Sequence, residues 1–316
     1  MIKFNAAIYL ISSRKNLLFK CLNFFYENWN QRYDYPVYVH YFGDIYNQKD
    51  ISKFKYKISE NIKFISVKPK IPKNVSEKNL FFNLKNNDYA KKFSSNRLGY
   101  LHMCNFTTNI TNYGIKGCLS DKLKKYDYLM KFDDESFFKK KINYDLFKVL
   151  VKNPYATGYT DNSVNSNKIN TRWYLWDFYK RYVKKYKLKP KSKILKKALL
   201  LNDSKSFHSL NYATDLALYN IKEFKKNNWA SYQTELNKFN GAYKYRWGEI
   251  ETIGLFAYTH FKNPIKNLNL KKKGYFSSWI PSPYSKIAPS NTRQAEINFV
   301  KKIYMHFLYY LRILFK

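Results

Sequence analysis

The sequence predicts an α/β domain built on a largely parallel sheet, and three observations predict it. An apolar run near the start is followed by a stretch with helical spacing and then by two further apolar runs, the order of a strand, a helix and two strands. A later apolar run ends abruptly in three consecutive acids, Asp133-Asp134-Glu135, as ligand-binding residues do beyond the carboxyl end of a sheet strand. Hydrophobic residues make up 45% of the 316 residues and aromatics 20%, enough for a sizeable core and too many for a disordered chain.

In chain order, Phe4 to Ile11 reads as the first buried strand, and Ser12, Ser13, Arg14 and Lys15 end it. Asn16 to Arg32 spaces Leu17, Leu18, Cys21, Leu22, Phe25 and Trp29 as a helix does. Pro36 to Phe42 alternates as a strand closed by Gly43-Asp44, and Ile62 to Val67 is a third. Pro69 to Lys92 is polar and reads as loop with a helix. Asn96 to Asn105 reads as helical, Asp127 to Phe132 as a short strand, and Ala156 to Thr160 as another. Arg172 to Lys187 is an aromatic, basic helix, Pro190 to Lys205 a basic connector, and Asn211 to Phe224 a strand leading into a helix. Tyr245 to Tyr258 is helical, and Gly274 to Pro283 is a loop rich in Ser, Pro and aromatics. No repeat or linker divides residues 1–296, which read as one catalytic domain. Residues 297–316 read as a basic amphipathic helix, packed on the domain or docked on an anionic membrane. No stretch reads as a signal peptide or a membrane span, which makes a cytoplasmic or peripheral membrane location the expectation.

Lysine and arginine number 58 against 22 acids, a net charge of +36. Such a field draws polyanions, whether nucleic acid, anionic lipid or a phosphorylated ligand. A/T-rich codons encode Lys, Asn, Ile, Tyr and Phe alike, so the charge by itself names no partner. The aromatics are spread along the chain and no nucleic-acid motif occurs, so no specific nucleic acid is expected. The three cysteines, Cys21, Cys104 and Cys118, form no CxxC pair, which argues against a zinc site and for buried thiols, with a Cys104–Cys118 bridge the alternative.

Four segments carry the chemistry. In Tyr126 to Glu135 a buried strand delivers carboxylates at i and i+2, Asp133 and Glu135, which can share Mn²⁺ or Mg²⁺ and so neutralise a nucleoside diphosphate. A solvated acidic turn is the plainer alternative. Gly99 to Phe106 contains Tyr100 and His102, the latter read as a core histidine. In Asn211 to Leu218, Asp215 sits among apolar residues, where a carboxylate needs a hydrogen bond, a metal or a catalytic task. In Tyr243 to Glu251, Arg246 suits a bidentate phosphate or carboxylate clamp, with Trp247 and Glu249 beside it as sugar- or acceptor-binding groups.

In their order and spacing these segments resemble the fungal α-1,2-mannosyltransferases of the Kre2/Mnt1 type, glycosyltransferase family 15, over about residues 5 to 285. The family's Ser-Tyr-Arg-His-Met-Cys-Arg-Phe is similar to Gly99 to Phe106, its Tyr-Asp-Tyr-Tyr-Trp-Arg-Val-Glu-Pro-Asp to Tyr126 to Glu135, and its Tyr-Glu-Arg-Trp-Gly-Asp to the stretch ending at Glu249. The resemblance implies a GT-A fold with a Rossmann-like mixed sheet flanked by helices, a GDP-mannose donor, Mn²⁺, a glycan or glycoprotein acceptor, and transfer with retention. It implies metal ligation by Asp133 and Glu135 and donor contacts from Ser12, Arg14, Tyr100, Asp134 and Arg246, with Tyr100 also at the catalytic centre. The family's catalytic Glu falls on Ala217, and Asp215 is the nearest acid. Its metal-binding His is missing from Gly274-Tyr275-Phe276-Ser277, with His260 a distant substitute. Three alternatives remain: a UDP-sugar transferase, a nucleic-acid-binding protein, and an inactive relative that only binds glycans.

Overall fold

A computed structural model describes residues 4–80, 98–109, 121–158, 174–201, 215–270 and 274–277. The strands are β1 (Ala6–Ile11), β2 (Val37–Phe42), β3 (Ile62–Val67), β4 (Tyr128–Phe132), β5 (Ser136–Phe138), β6 (Tyr155–Thr157), β7 (Leu216–Asn220), β8 (Lys266–Asn267) and β9 (Tyr275–Ser277). The longer helices are α1 (Lys15–Phe25), α2 (Gln48–Lys57), α3 (Leu98–Thr108), α4 (Leu175–Lys185), α5 (Lys193–Leu200), α6 (Ile221–Lys226), α7 (Trp229–Phe239), α8 (Gly241–Tyr245) and α9 (Glu249–His260).

Seven strands form one sheet in the order β3-β2-β1-β4-β7-β6-β8, and β5 pairs with β9 beside it. Strands β1 to β4 run parallel, with Ile8 beside both Val37 and Met130, while β7 is antiparallel to β4 and β6. The sheet is therefore mixed and mostly parallel in its first half. The chain lays down β1, β2 and β3 in one direction and then crosses to the other side of β1 for β4. That reversal falls between β1 and β4, and the carboxyl ends of strands at such a point are where such sheets bind ligands.

The central strands are covered on both faces, so they read as continuous apolar runs. On β1, Ile8 and Leu10 join one core with Leu18, Leu22 and Phe25 of α1. Ala7 and Tyr9 join the other with Tyr179 of α4, Tyr232 of α7 and Phe256 of α9. Helix α9 is buried almost all round, its two first-turn acids included. It was expected at Tyr245 to Tyr258. The structure instead ends α8 at Tyr245 and restarts at Glu249, because Arg246 takes a left-handed backbone (φ 59°) that no helix continues through.

Three differences from the sequence reading have local causes. The expected loop at Gly274 contains a strand, since Tyr275–Ser277 pairs with Ser136–Phe138. Gly274 allows the turn with φ +82°, and a Cβ there would meet Lys140 Cγ at 2.7 Å. The basic connector contains α5, which presents Leu195 and Ala198 to the core. Helix α2, to which the sequence reading assigned no element, starts from a capping box in which the Asn47 side chain and the Asp50 amide, and the Asp50 carboxylate and the Asn47 amide, bond reciprocally. Cys21 and Cys104 are buried free thiols, while Cys118 and the 297–316 helix lie outside the described residues. No helix among the described residues is long and apolar enough to cross a membrane.

Candidate active site

The site forms where β1 and β4 end side by side. Ser12 follows β1, and its Oγ donates to Asp134 Oδ2 at 2.7 Å. Arg14 caps the start of α1 and reaches across to the acids that follow β4. Its Nε donates to Asp134 Oδ2 at 3.3 Å, Nη2 to Asp134 Oδ1, and Nη1 to Glu135 Oε2 at 2.8 Å. Both carboxylates are buried, while the Arg14 side chain is one-third open at 33%. Burial raises the Asp134 pKa, and the Arg14 guanidinium opposes that rise. Burial alone would lower Arg14, but the two acids outweigh it and hold the guanidinium above its ordinary value.

The acidic turn is tied from several sides. The Cys21 thiol of α1 donates to the Ser136 carbonyl at 2.9 Å. The Asp133 amide donates to the Asp215 carbonyl at 2.9 Å, continuing the β4–β7 ladder by one pair. Asp133 and Asp215 thus face each other across an antiparallel pair, with Cα atoms about 5 Å apart. Asp215 is buried, and the Tyr275 hydroxyl lies 3.0 Å from both its Oδ2 and the Ser136 Oγ. Ala217, two pairs further along, is fully buried beside Lys131.

Lys131 is the site residue that sequence reasoning missed. On a strand, alternate residues share a face, so Leu129, Lys131 and Asp133 point the same way, toward α9. The Lys131 ammonium lies 2.7 Å from Asp133 Oδ1 and 3.2 Å from Glu249 Oε1, and the side chain is buried. Burial would lower its pKa, but Asp133 and Glu249 outweigh it and hold the amine charged. The available signal was a lysine at an inward position of a buried strand, which requires a partner.

Tyr100 and Arg246 are brought together, the guanidinium carbon 4.8 Å above the ring. Arg246 owes this aim to its left-handed backbone, a conformation that costs energy and clusters at functional sites. Two expectations need correcting. Trp247 is 1% exposed, stacked on Phe239 at 5.0 Å and packed against Phe178 at 5.4 Å, so its indole offers no open face to a sugar. Glu249 turns inward to Lys131 rather than outward to an acceptor. His102 is a core histidine, as expected, with Nδ1 2.9 Å from the Tyr243 hydroxyl. His260 lies at the opposite end of α9 from Glu249, about 16 Å away at 1.5 Å per residue, too far to serve the acid cluster.

The fold has counterparts among solved structures. Core-mannan synthase A from Aspergillus fumigatus, solved in its Mn/GDP form, superposes with a TM-score of 0.64 at 15% identity, over 84% of this chain and 72% of that one. The mannosyltransferase Ktr4p from S. cerevisiae gives 0.64 at 17% identity, over 84% and 69%, and its complex with GDP gives the same score over 83% and 68%. The fold is that of a GT-A glycosyltransferase. No family model and no curated protein sequence matches the chain. Within the GT-A frame, Ser12, Arg14, Asp133, Asp134, Glu135 and Asp215 all lie at the carboxyl ends of β1 and β4 or the adjoining start of β7, and Lys131, Glu249, Tyr100 and Arg246 line the α9 side.

Proposed function

We propose that the chain is a glycosyltransferase that binds a sugar nucleotide over β1 and β4 and transfers the sugar beside β7. The donor in this reading is GDP-mannose, the acceptor a glycan or glycoprotein, and the product an α-1,2 linkage formed with retention. The observation that carries it is the Ser12–Arg14–Asp134–Glu135 network at the reversal point of the sheet. The fold shared with mannosyltransferases, two of them solved with GDP, favours this donor over a UDP-sugar.

The acids as arranged do not fit a two-carboxylate metal site. Arg14 occupies Asp134 and Glu135, Lys131 occupies Asp133, and no group of three His, Cys, Asp or Glu among the described residues is placed to hold an ion. No step is therefore routed through a metal. In this reading Arg246 supplies the positive charge for a diphosphate, with the Tyr100 ring beside it as a stacking surface for the nucleoside, and Arg14 offers only the exposed third of its side chain as a hydrogen-bond donor. In this reading Asp215, directly opposite Asp133 across the β4–β7 pair, stabilises oxocarbenium charge on the transferring sugar. Tyr275 holds that carboxylate in place.

Isothermal titration with GDP-mannose, UDP-glucose and GDP, each with and without Mn²⁺, tests the reading. GDP-mannose and GDP are expected to bind and UDP-glucose to bind more weakly by at least about tenfold. Equal binding of all three shifts the assignment to a UDP-sugar transferase, and binding of none removes it. Mn²⁺ alone is expected to give no heat and no rise in Tm.

A further inference from the structure

The strongest feature outside the donor site is a basic surface around α5. Between Asp177 and Asp203 the sequence carries ten lysines and arginines and no carboxylate. The chain's own lysine-rich composition would place about five basic residues in a stretch of that length, so compositional bias does not account for it. Lys187, Lys189, Lys191, Lys193, Lys196 and Lys197 are all exposed.

Bulky apolar side chains stand exposed among them. Leu200 is 85% exposed, Leu201 58% and Ile194 42%. They are not a consequence of a loose helix. Leu195 and Ala198 of α5 are fully buried, and the segment is pinned by the Lys191 amide on the Thr259 carbonyl at 2.9 Å and the Ser192 amide on the Tyr258 carbonyl at 3.1 Å. The helix is held firmly by one face while the other shows leucines and lysines together. A soluble surface has reason to show the lysines but not the leucines, and an anionic bilayer takes both, the leucines into the acyl boundary and the ammonium groups to the headgroups.

The position also suits a bilayer. Thr259 and His260 end α9, whereas Glu249 at its start faces the acid cluster. The basic surface therefore lies about 16 Å from the donor site along that helix, so docking leaves that site open.

We infer that α5, with Ile194, Leu200, Leu201 and the lysines from Lys187 to Lys197, docks the protein on an anionic lipid surface. The inference is independent of the proposed transferase activity, because its readout is lipid binding. Flotation of the full chain with phosphatidylcholine vesicles, with and without phosphatidylserine, tests it. Binding is expected only with phosphatidylserine and is expected to weaken with salt. The pair Leu200→Ser and Leu201→Ser should lower partitioning by about tenfold at fixed salt. The triple change Lys193→Glu, Lys196→Glu and Lys197→Glu should lower it further, since each lysine near such a surface is worth roughly a fivefold change. Reversing Lys49, Lys53 and Lys57 on α2 should leave it within about twofold. The inference is overturned if the parent chain does not float with phosphatidylserine. It is equally overturned if the α5 variants float like the parent, or if the α2 reversals match the α5 reversals, which would make the attraction a diffuse effect of +36. Unchanged Tm in each α5 variant confirms that the fold is intact, as expected for exposed side chains.

Discussion

The two ends of α9 carry opposite chemistry. At its start, Glu249 and Glu251 are buried, and Glu249 faces Lys131 and through it Asp133, next to Asp134, Glu135 and Asp215. At its other end, the carbonyls of Tyr258 and Thr259 anchor a segment of bare lysines. In a chain with only 22 acids, gathering six where β4 ends, β7 starts and α9 begins and leaving none from 178 to 202 is a spatial partition of charge. The net charge of +36 hides it. The difference between the ends is also one of dielectric. Site charges are desolvated and depend on named partners, whereas the lysines of α5 are hydrated and depend on none.

That contrast sets the size of the expected effects. Arg14→Ala leaves two buried carboxylates without their cation and should cost about 3–5 kcal/mol by urea denaturation and abolish donor binding. Arg14→Lys should recover only part, because an ammonium does not bridge two carboxylates as a fork does. Full stability of Arg14→Ala would mean the acids are solvated and the two ends are alike. Asp215→Asn should reduce kcat about 10²–10³-fold with KM for donor little changed, in steady-state assays. A loss confined to KM would make Asp215 a binding group.

The next test is a matched pair of lysines. Lys131→Met removes the buried ammonium that Asp133 and Glu249 face and should cost about 3 kcal/mol, while Lys197→Met at the other end should stay within about 0.5 kcal/mol. Equal effects would break the comparison.

Acid stability sharpens it further, because a buried histidine lies in each region. Burial lowers the pKa of His40, on β2, and of His260, at the end of α9, from 6.5 to about 4. Both are neutral in the folded chain and gain protons more readily unfolded. Their contribution is complete above about pH 6.5 and is lost as pH falls toward 4, by up to about 3 kcal/mol each. Urea melts at pH 7 and pH 4.5 should differ less in His260→Phe and His40→Phe than in the parent. A steeper acid limb in either variant would contradict the assignment.

Much of the frame was legible from residues alone. Strands β1 to β4 are short apolar runs with polar stops, and the run from Tyr126 into Asp133-Asp134-Glu135 pointed to the acid cluster that the structure gathers with Ser12 and Arg14. Asp215 was singled out because a carboxylate between apolar neighbours needs a reason. The missed elements are those whose signals are not periodic. Helix α2 depends on a capping box rather than an apolar stripe, and β9 is three residues long and is held as a strand by β5.

By itself, the sequence determined the fold class, the strand that delivers the acids and the basic character of the chain, because hydrophobic period and local charge are properties of adjacent residues. Only the tertiary structure decided what each charge faces. It assigned Arg14 to Asp134 and Glu135, 120 and 121 residues away, and Lys131 to Glu249, 118 residues away. It put Trp247 in the core, and it left Leu200 and Leu201 outside among lysines. Desolvation and pairing depend on which elements meet across the sheet, and no spacing along the chain encodes that directly.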